Sequence, residues 1–79
     1  MSTEIRSPIP GVFYRRPSPE ADPFVEVGSA VEADTVVALV EVMKQFFDVH
    51  AGVTGTIATV EIPDAEMVDA GQVLFTVNQ

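Results

Sequence analysis

Seventy-nine residues, 47% of them hydrophobic, suffice for one folded domain and not for two, and they lie near the lower limit at which an apolar core holds without staples. The net charge of −8 leaves only Arg6, Arg15, Arg16 and Lys44 as basic side chains, too few to neutralise phosphates, which excludes nucleic acid as a partner. No cysteine offers a disulfide or a thiolate metal site, no apolar run approaches the ~18 residues of a membrane helix, and "MSTEIRSPIPG" lacks a signal-peptide apolar region, so the chain reads as cytoplasmic with no membrane partner.

Glycine and proline recur too closely for helices of ordinary length, and the runs between them are rich in Val, Ile, Thr and Phe, which predicts an all-β chain. In chain order the predicted strands are "GVFY" (11–14), "PFVEV" (23–27), "TVVALVEV" (35–42), "FFDVHA" (46–51), "GTIATVEI" (55–62) and "QVLFTVN" (72–78). Between the first two, "YRRPSPEADP" (14–23) reads as a proline-stiffened surface loop.

The two halves of the chain resemble each other. "VEVGSAVEADTVVALV" (25–40) reads onto "VEIPDAEMVDAGQVLFTV" (60–77) if the second copy carries two extra residues, and "IPGVF" (9–13) reads onto "VTGTI" (53–57). This pattern predicts a pseudo-twofold β-structure whose halves complete one core, with "EVMKQFF" (41–47) joining them.

That joining segment holds the only lysine of the chain, inside an otherwise apolar run. A two-residue hairpin loop centred on Met43 and Lys44 would pair Val42 with Gln45, Glu41 with Phe46 and Val40 with Phe47, so that the arms face each other with aliphatics against aromatics. Met-Lys is a poor choice for a tight turn, which prefers residues tolerant of positive φ. A locally disfavoured pair at a tip is a mark of function.

The run "SPIPGVFYRRPSPEADPFVEVGSAVEADTVVALVEVMK", followed by "GVTGTIATVEI" and "VDAGQVLFTV", closely resembles the biotinyl domain of the biotin carboxyl carrier proteins of acetyl-CoA carboxylases, in the biotin/lipoyl attachment family. The resemblance runs from about Ser7 to the C-terminus, and its most diagnostic piece is Glu-x-Met-Lys, here Glu41, Val42, Met43 and Lys44. It implies a flattened antiparallel β-barrel or sandwich of two four-stranded sheets with quasi-twofold symmetry, formed by residues 1–79 as a single domain with a thumb-like insertion at about 14–23. It implies covalent biotin on Lys44, ligase recognition through Glu41, Val42, Met43 and Gln45, and a thumb of Pro17, Ser18, Pro19, Glu20, Ala21 and Asp22 folding over the cofactor.

The implied partners are a biotin protein ligase, a biotin carboxylase and a carboxyltransferase, and the implied role is a carrier that does no chemistry itself. Val42 and Gln45 depart from the family's usual Ala and Met around the Met-Lys pair. A lipoyl carrier shares the fold but presents Asp-Lys-Ala, which Met43 argues against. An unmodified β-barrel interaction module is the remaining alternative.

Enzyme chemistry is disfavoured, since one histidine and scattered hydroxyls offer no nucleophile and base pair. Arg15 and Arg16 read either as surface charges or as partners for another protein's carboxylates. His50 reads as structural or solvated, and one of Phe46 and Phe47 is expected to face solvent or a partner. Asp64, Glu66 and Asp69 read as a solubilising acidic face rather than a metal site.

Overall fold

A computed structural model describes residues 2–79 as eight β-strands: β1 (Ser2–Arg6), β2 (Gly11–Tyr14), β3 (Ala30–Val31), β4 (Val36–Val42), β5 (Gln45–His50), β6 (Gly55–Val60), β7 (Glu66–Val68) and β8 (Val73–Asn78). They form two four-stranded antiparallel sheets of order β1-β8-β6-β3 and β5-β4-β2-β7. Advancing each strand by four converts one order into the other, which is the pseudo-twofold relation expected from the repeat.

The core obeys the same relation. Ile5 and Val49, Phe13 and Ile57, Val31 and Val68, Val37 and Leu74, Ala38 and Phe75, and Val40 and Val77 are matched positions of the two halves, and all twelve are buried. The Phe13 and Phe75 rings meet edge-on with centroids 5.8 Å apart, a geometry worth about 0.5–1.5 kcal/mol beyond area burial.

Matched irregularities support the match. The ladder slips at Val37 in β4 and at Leu74 in β8, and at each bulge two consecutive side chains turn inward, breaking the strict alternation of a half-buried strand. The turns before these strands are built alike. The Glu32 amide donates to Thr35 Oγ1 at 2.9 Å, as the Asp69 amide does to Gln72 Oε1 at 2.9 Å.

Strands β1, β3 and β7 lie outside the six predicted runs, and one predicted run forms no strand. β1 has one buried apolar residue, Ile5, and owes its existence to pairing with β8 at the far end of the chain. The predicted strand 23–27 is absent. Pro23 offers no amide, the Phe24 amide donates to Arg15 O at 2.8 Å, and the Glu26 amide donates to Ser29 Oγ at 2.9 Å, so the donors close a loop instead of joining a sheet. Of that segment only Val25 is buried.

Gly28 and Ala65 are also matched, since their amides donate at 2.8 Å to Ile57 O and Phe13 O respectively. Both have positive φ, +94° and +66°, but only glycine takes that conformation without strain. Ala65→Gly should therefore raise stability by about 0.5–1 kcal/mol, which for a domain of this size moves Tm up by about 2–8 °C in thermal unfolding. A lower Tm would mean that the Ala65 methyl contributes more by packing than it costs in strain.

Candidate functional site

The β4–β5 hairpin turns on Met43 and Lys44, with Val42 opposite Gln45, Glu41 opposite Phe46 and Val40 opposite Phe47. Met43 has φ +50° and Lys44 φ +67°, the two positive values a type I′ turn requires and whose twist suits antiparallel strands. Neither side chain favours that conformation, and holding both there costs roughly 1–2 kcal/mol per residue. The ladder of β4 with β5 on one side and β2 on the other over-determines the turn. Lys44 is exposed, Met43 is 92% exposed, and Gln45 is exposed beside them, so the amine projects from the end of the sheet with nothing packed over it.

Glu41 sits half-buried below the tip and accepts a hydrogen bond from Tyr14 Oη at 3.2 Å. Burial above all, then that hydrogen bond and the charge of Glu41, with Asp64 adding, raise the Tyr14 hydroxyl above its usual range, so it stays a neutral donor. Its ring leans on Phe46 with centroids 6.1 Å apart. Val42, half-buried, packs against the core.

Phe46 and Phe47 are 57% and 42% exposed, so both face outward where one was expected to. They lie on β5, an edge strand of its sheet with only Val49 buried. His50 is exposed and ends that strand.

The segment between β2 and β3 folds back over the outer face of β2 and β5. A cavity of about 400 Å³ lies between them, lined by Tyr14 and Phe46, by Arg16 to Pro19, and by Asp64 and Ala65. Of the six thumb residues singled out in the sequence, Pro17, Ser18 and Pro19 line this cavity, while Glu20, Ala21 and Asp22 do not. The Ala21 amide donates to Ser18 O at 3.1 Å, making a turn at the loop's exposed end. Replacing Ser18 to Asp22 by a short Gly-Ser link should leave Tm within a few degrees, since these residues add little to the core. Loss of a cooperative thermal transition would show the segment to be structural.

The arginines bind within the chain. Arg15 Nη2 donates to Val25 O at 3.2 Å, and Arg16 Nη1 donates to Ala21 O at 3.2 Å. Asp64 is more than a solubilising charge: its Oδ1 accepts the Arg15 amide at 2.7 Å and its Oδ2 lies 3.8 Å from Arg16 Nε. The signal that could have found Asp64 is the lengthening of the second copy at Pro63–Asp64. Glu66 and Asp69 are exposed, and no three acidic or histidine side chains among the described residues are grouped to hold a metal ion.

The sequence profile of the Biotin_lipoyl family, described as "Biotin-requiring enzyme", matches residues 3–77. The chain is 42% identical over 73 residues to the biotin carboxyl carrier protein of acetyl-CoA carboxylase from Chlamydia trachomatis, covering 92% of this chain and 44% of that protein. It is 40% identical over 73 residues to the protein of that name from Pseudomonas aeruginosa, covering 92% and 47%. A chloroplastic relative from Arabidopsis thaliana is 36% identical over 73 residues, covering 92% and 26%. The chain thus spans less than half the length of these relatives. Its fold is also that of part of the Kluyveromyces lactis urea carboxylase crystal structure, with TM-score 0.79 and 24% identity over 99% of this chain and 6% of that one.

Proposed function

This chain belongs to the Biotin_lipoyl family, and from that premise we propose that it carries biotin covalently on Lys44 and shuttles carboxyl groups between the active sites of a biotin-dependent carboxylase. The observation that carries this reading is the placement of the only lysine, directly after Glu41-Val42-Met43, on an exposed turn of two positive-φ residues. Bound there, the cofactor would supply a urea nitrogen able to carry a carboxyl group, and Lys44 would hold it. Everything else the chain does is presentation.

Lys44 supplies the amine that becomes an amide, so no ammonium has to be desolvated when the arm enters a cleft. Met43 and Gln45 flank it in the open, where a biotin protein ligase reads them together with Glu41 and Val42. Tyr14 restrains Glu41, and the β4–β5 ladder fixes the height of the amine above the sheet. The cavity fits an uncharged ring: Tyr14, Phe46, Pro17 and Pro19 give apolar contact, and the charged side chains on its lining, Arg16 and Asp64, face each other, with Arg16 Nε 3.8 Å from Asp64 Oδ2. Phe46 is the second residue of β5, two positions past Lys44 and so no more than about 7 Å from it along the chain, which puts it within reach of an arm on Lys44.

Tethering holds such a group at roughly millimolar local concentration for partners bound nearby. Those partners are a biotin carboxylase and a carboxyltransferase, with acetyl-CoA the acceptor suggested by the names of the relatives, in fatty acid synthesis in the cytoplasm. The chain acts as a carrier and contributes no catalytic group. Intact mass after treatment with a cognate biotin ligase, ATP and biotin tests the reading, with addition of one biotinyl group as the expected result. An unchanged mass with a ligase active on a control substrate overturns it.

A further inference from the structure

The two halves of the chain differ chiefly in two places. In the first, residues 15–24 separate Tyr14 from Val25, where Thr59 alone separates the matched Ala58 from Val60. In the second, the turn after Val60 is longer by Pro63 and Asp64 than the turn after Val25. These two departures from symmetry touch. Asp64 Oδ1 accepts the amide of Arg15 at 2.7 Å, at the root of the loop, and Oδ2 stands 3.8 Å from Arg16 Nε. The strained Ala65 follows at once and donates its amide to Phe13 O at 2.8 Å, anchoring the lengthened turn to β2.

We infer that Asp64 is a latch that positions the thumb, holding residues 15–24 against the β2 face so that the cavity beside Lys44 is formed before any group enters it. A turn of the length found in the first half would end short of Arg15. The two added residues carry an acceptor outward to a backbone amide that makes no ladder bond. Around that anchor the loop closes on itself: Phe24 N–H to Arg15 O, Arg15 Nη2 to Val25 O, and Arg16 Nη1 to Ala21 O. A preformed wall spares the entering ring the entropic cost of ordering the loop. The latch belongs to the unmodified chain; only the use of the cavity rests on Lys44 carrying the cofactor.

Amide hydrogen exchange on the unmodified full chain tests this with two substitutions at one site. Asp64→Ala removes the acceptor, and exchange at Arg15 and Phe24 should accelerate about tenfold or more, the scale of a lost hydrogen bond to a carboxylate. Amides in the core strands, such as Val40 and Val77, should keep their rates, which separates a latch from a general loss of stability. Asp64→Asn keeps an oxygen that accepts the Arg15 amide and should restore Arg15 protection to within about threefold of the parent chain, the neutral acceptor being the weaker one. Unchanged exchange at Arg15 in Asp64→Ala overturns the proposal, as does equal acceleration of the loop and the core. Should the alanine variant fail to fold, the asparagine variant decides by itself, because loss of Arg15 protection despite the retained oxygen would also overturn it. The mass measurement on Lys44 is independent of these rates, so failure of the latch and failure of the carrier reading are told apart.

Discussion

Lys44→Arg should abolish biotin acceptance and leave the fold unchanged. Arginine keeps the positive charge and a side chain of similar length, but its guanidinium holds the proton and delocalises the lone pair, so it does not form the amide. Lys44 is exposed and makes no hydrogen bond or ion pair with the described residues, so Tm should stay within about 2 °C, as for other surface substitutions. The effect on acceptance is much larger. With no second lysine in the chain, kcat/KM for the ligase should fall by more than about a thousandfold, over 4 kcal/mol of transition-state stabilisation. Intact mass and peptide mapping after a long incubation provide the check. Biotin found on the variant at any other group would show that the tip is not the sole acceptor, and biotinylation at the parental rate would end the assignment of Lys44.

Much of the architecture was legible because the sequence states it twice. Gly11 and Gly55, and Val40 and Val77, fall at matched places in two otherwise divergent runs and hold matched places in the two sheets, whereas Val60 ends β6 and its sequence counterpart Val25 lies in a loop. The hairpin register followed from pairing the residues on either side of Met43 and Lys44. The positive φ of both did not follow, because residue preference argues against it and only the flanking ladders impose it.

What stayed hidden depends on distant partners. Ser2–Arg6 has one core residue and becomes a strand only by meeting β8, whereas Phe24 to Val27 has the right residue types and lacks a neighbour to pair with. Asp64 looks like any exposed acid until the backbone of Arg15 is brought to it. Of the cavity, Pro17, Ser18 and Pro19 were anticipated through the resemblance. Tyr14 and Phe46 come from strands β2 and β5, on either side of β4, and no spacing in the chain joins them.

Gly11→Ala and Gly55→Ala should be the most destabilising small substitutions in the protein, and they should differ in what they do to the tip. A β-carbon on Gly11 would lie 2.5 Å from the carbonyl oxygen of Glu41 and 2.7 Å from Val40 Cγ1. One on Gly55 would lie 2.7 Å from Val77 Cγ1, with the Asn78 carbonyl oxygen closer still. In both cases backbone, not the free end of a side chain, blocks the way, so the strands must part. Forcing volume into a packed site costs about 1–3 kcal/mol and more where the backbone must move. We expect 3 kcal/mol or more for each, against a total near 4–12 kcal/mol for a chain of this length. Urea denaturation measures both; a midpoint near that of the parent chain would mean that the strands separate by a few tenths of an ångström at little cost. The halves then part company, because Gly11 presses on Glu41 and Val42, which lead directly into Met43 and Lys44, while Gly55 presses on the matched end of β8, which leads to no hairpin. Under conditions where both variants are folded, Gly11→Ala should lower ligase kcat/KM by about tenfold, the 1.4 kcal/mol expected of a misplaced nucleophile, and Gly55→Ala should not. Equal rates for the two would show that the tip keeps its geometry independently of the strand crossing beneath it, and that the turn residues alone hold Lys44 in place.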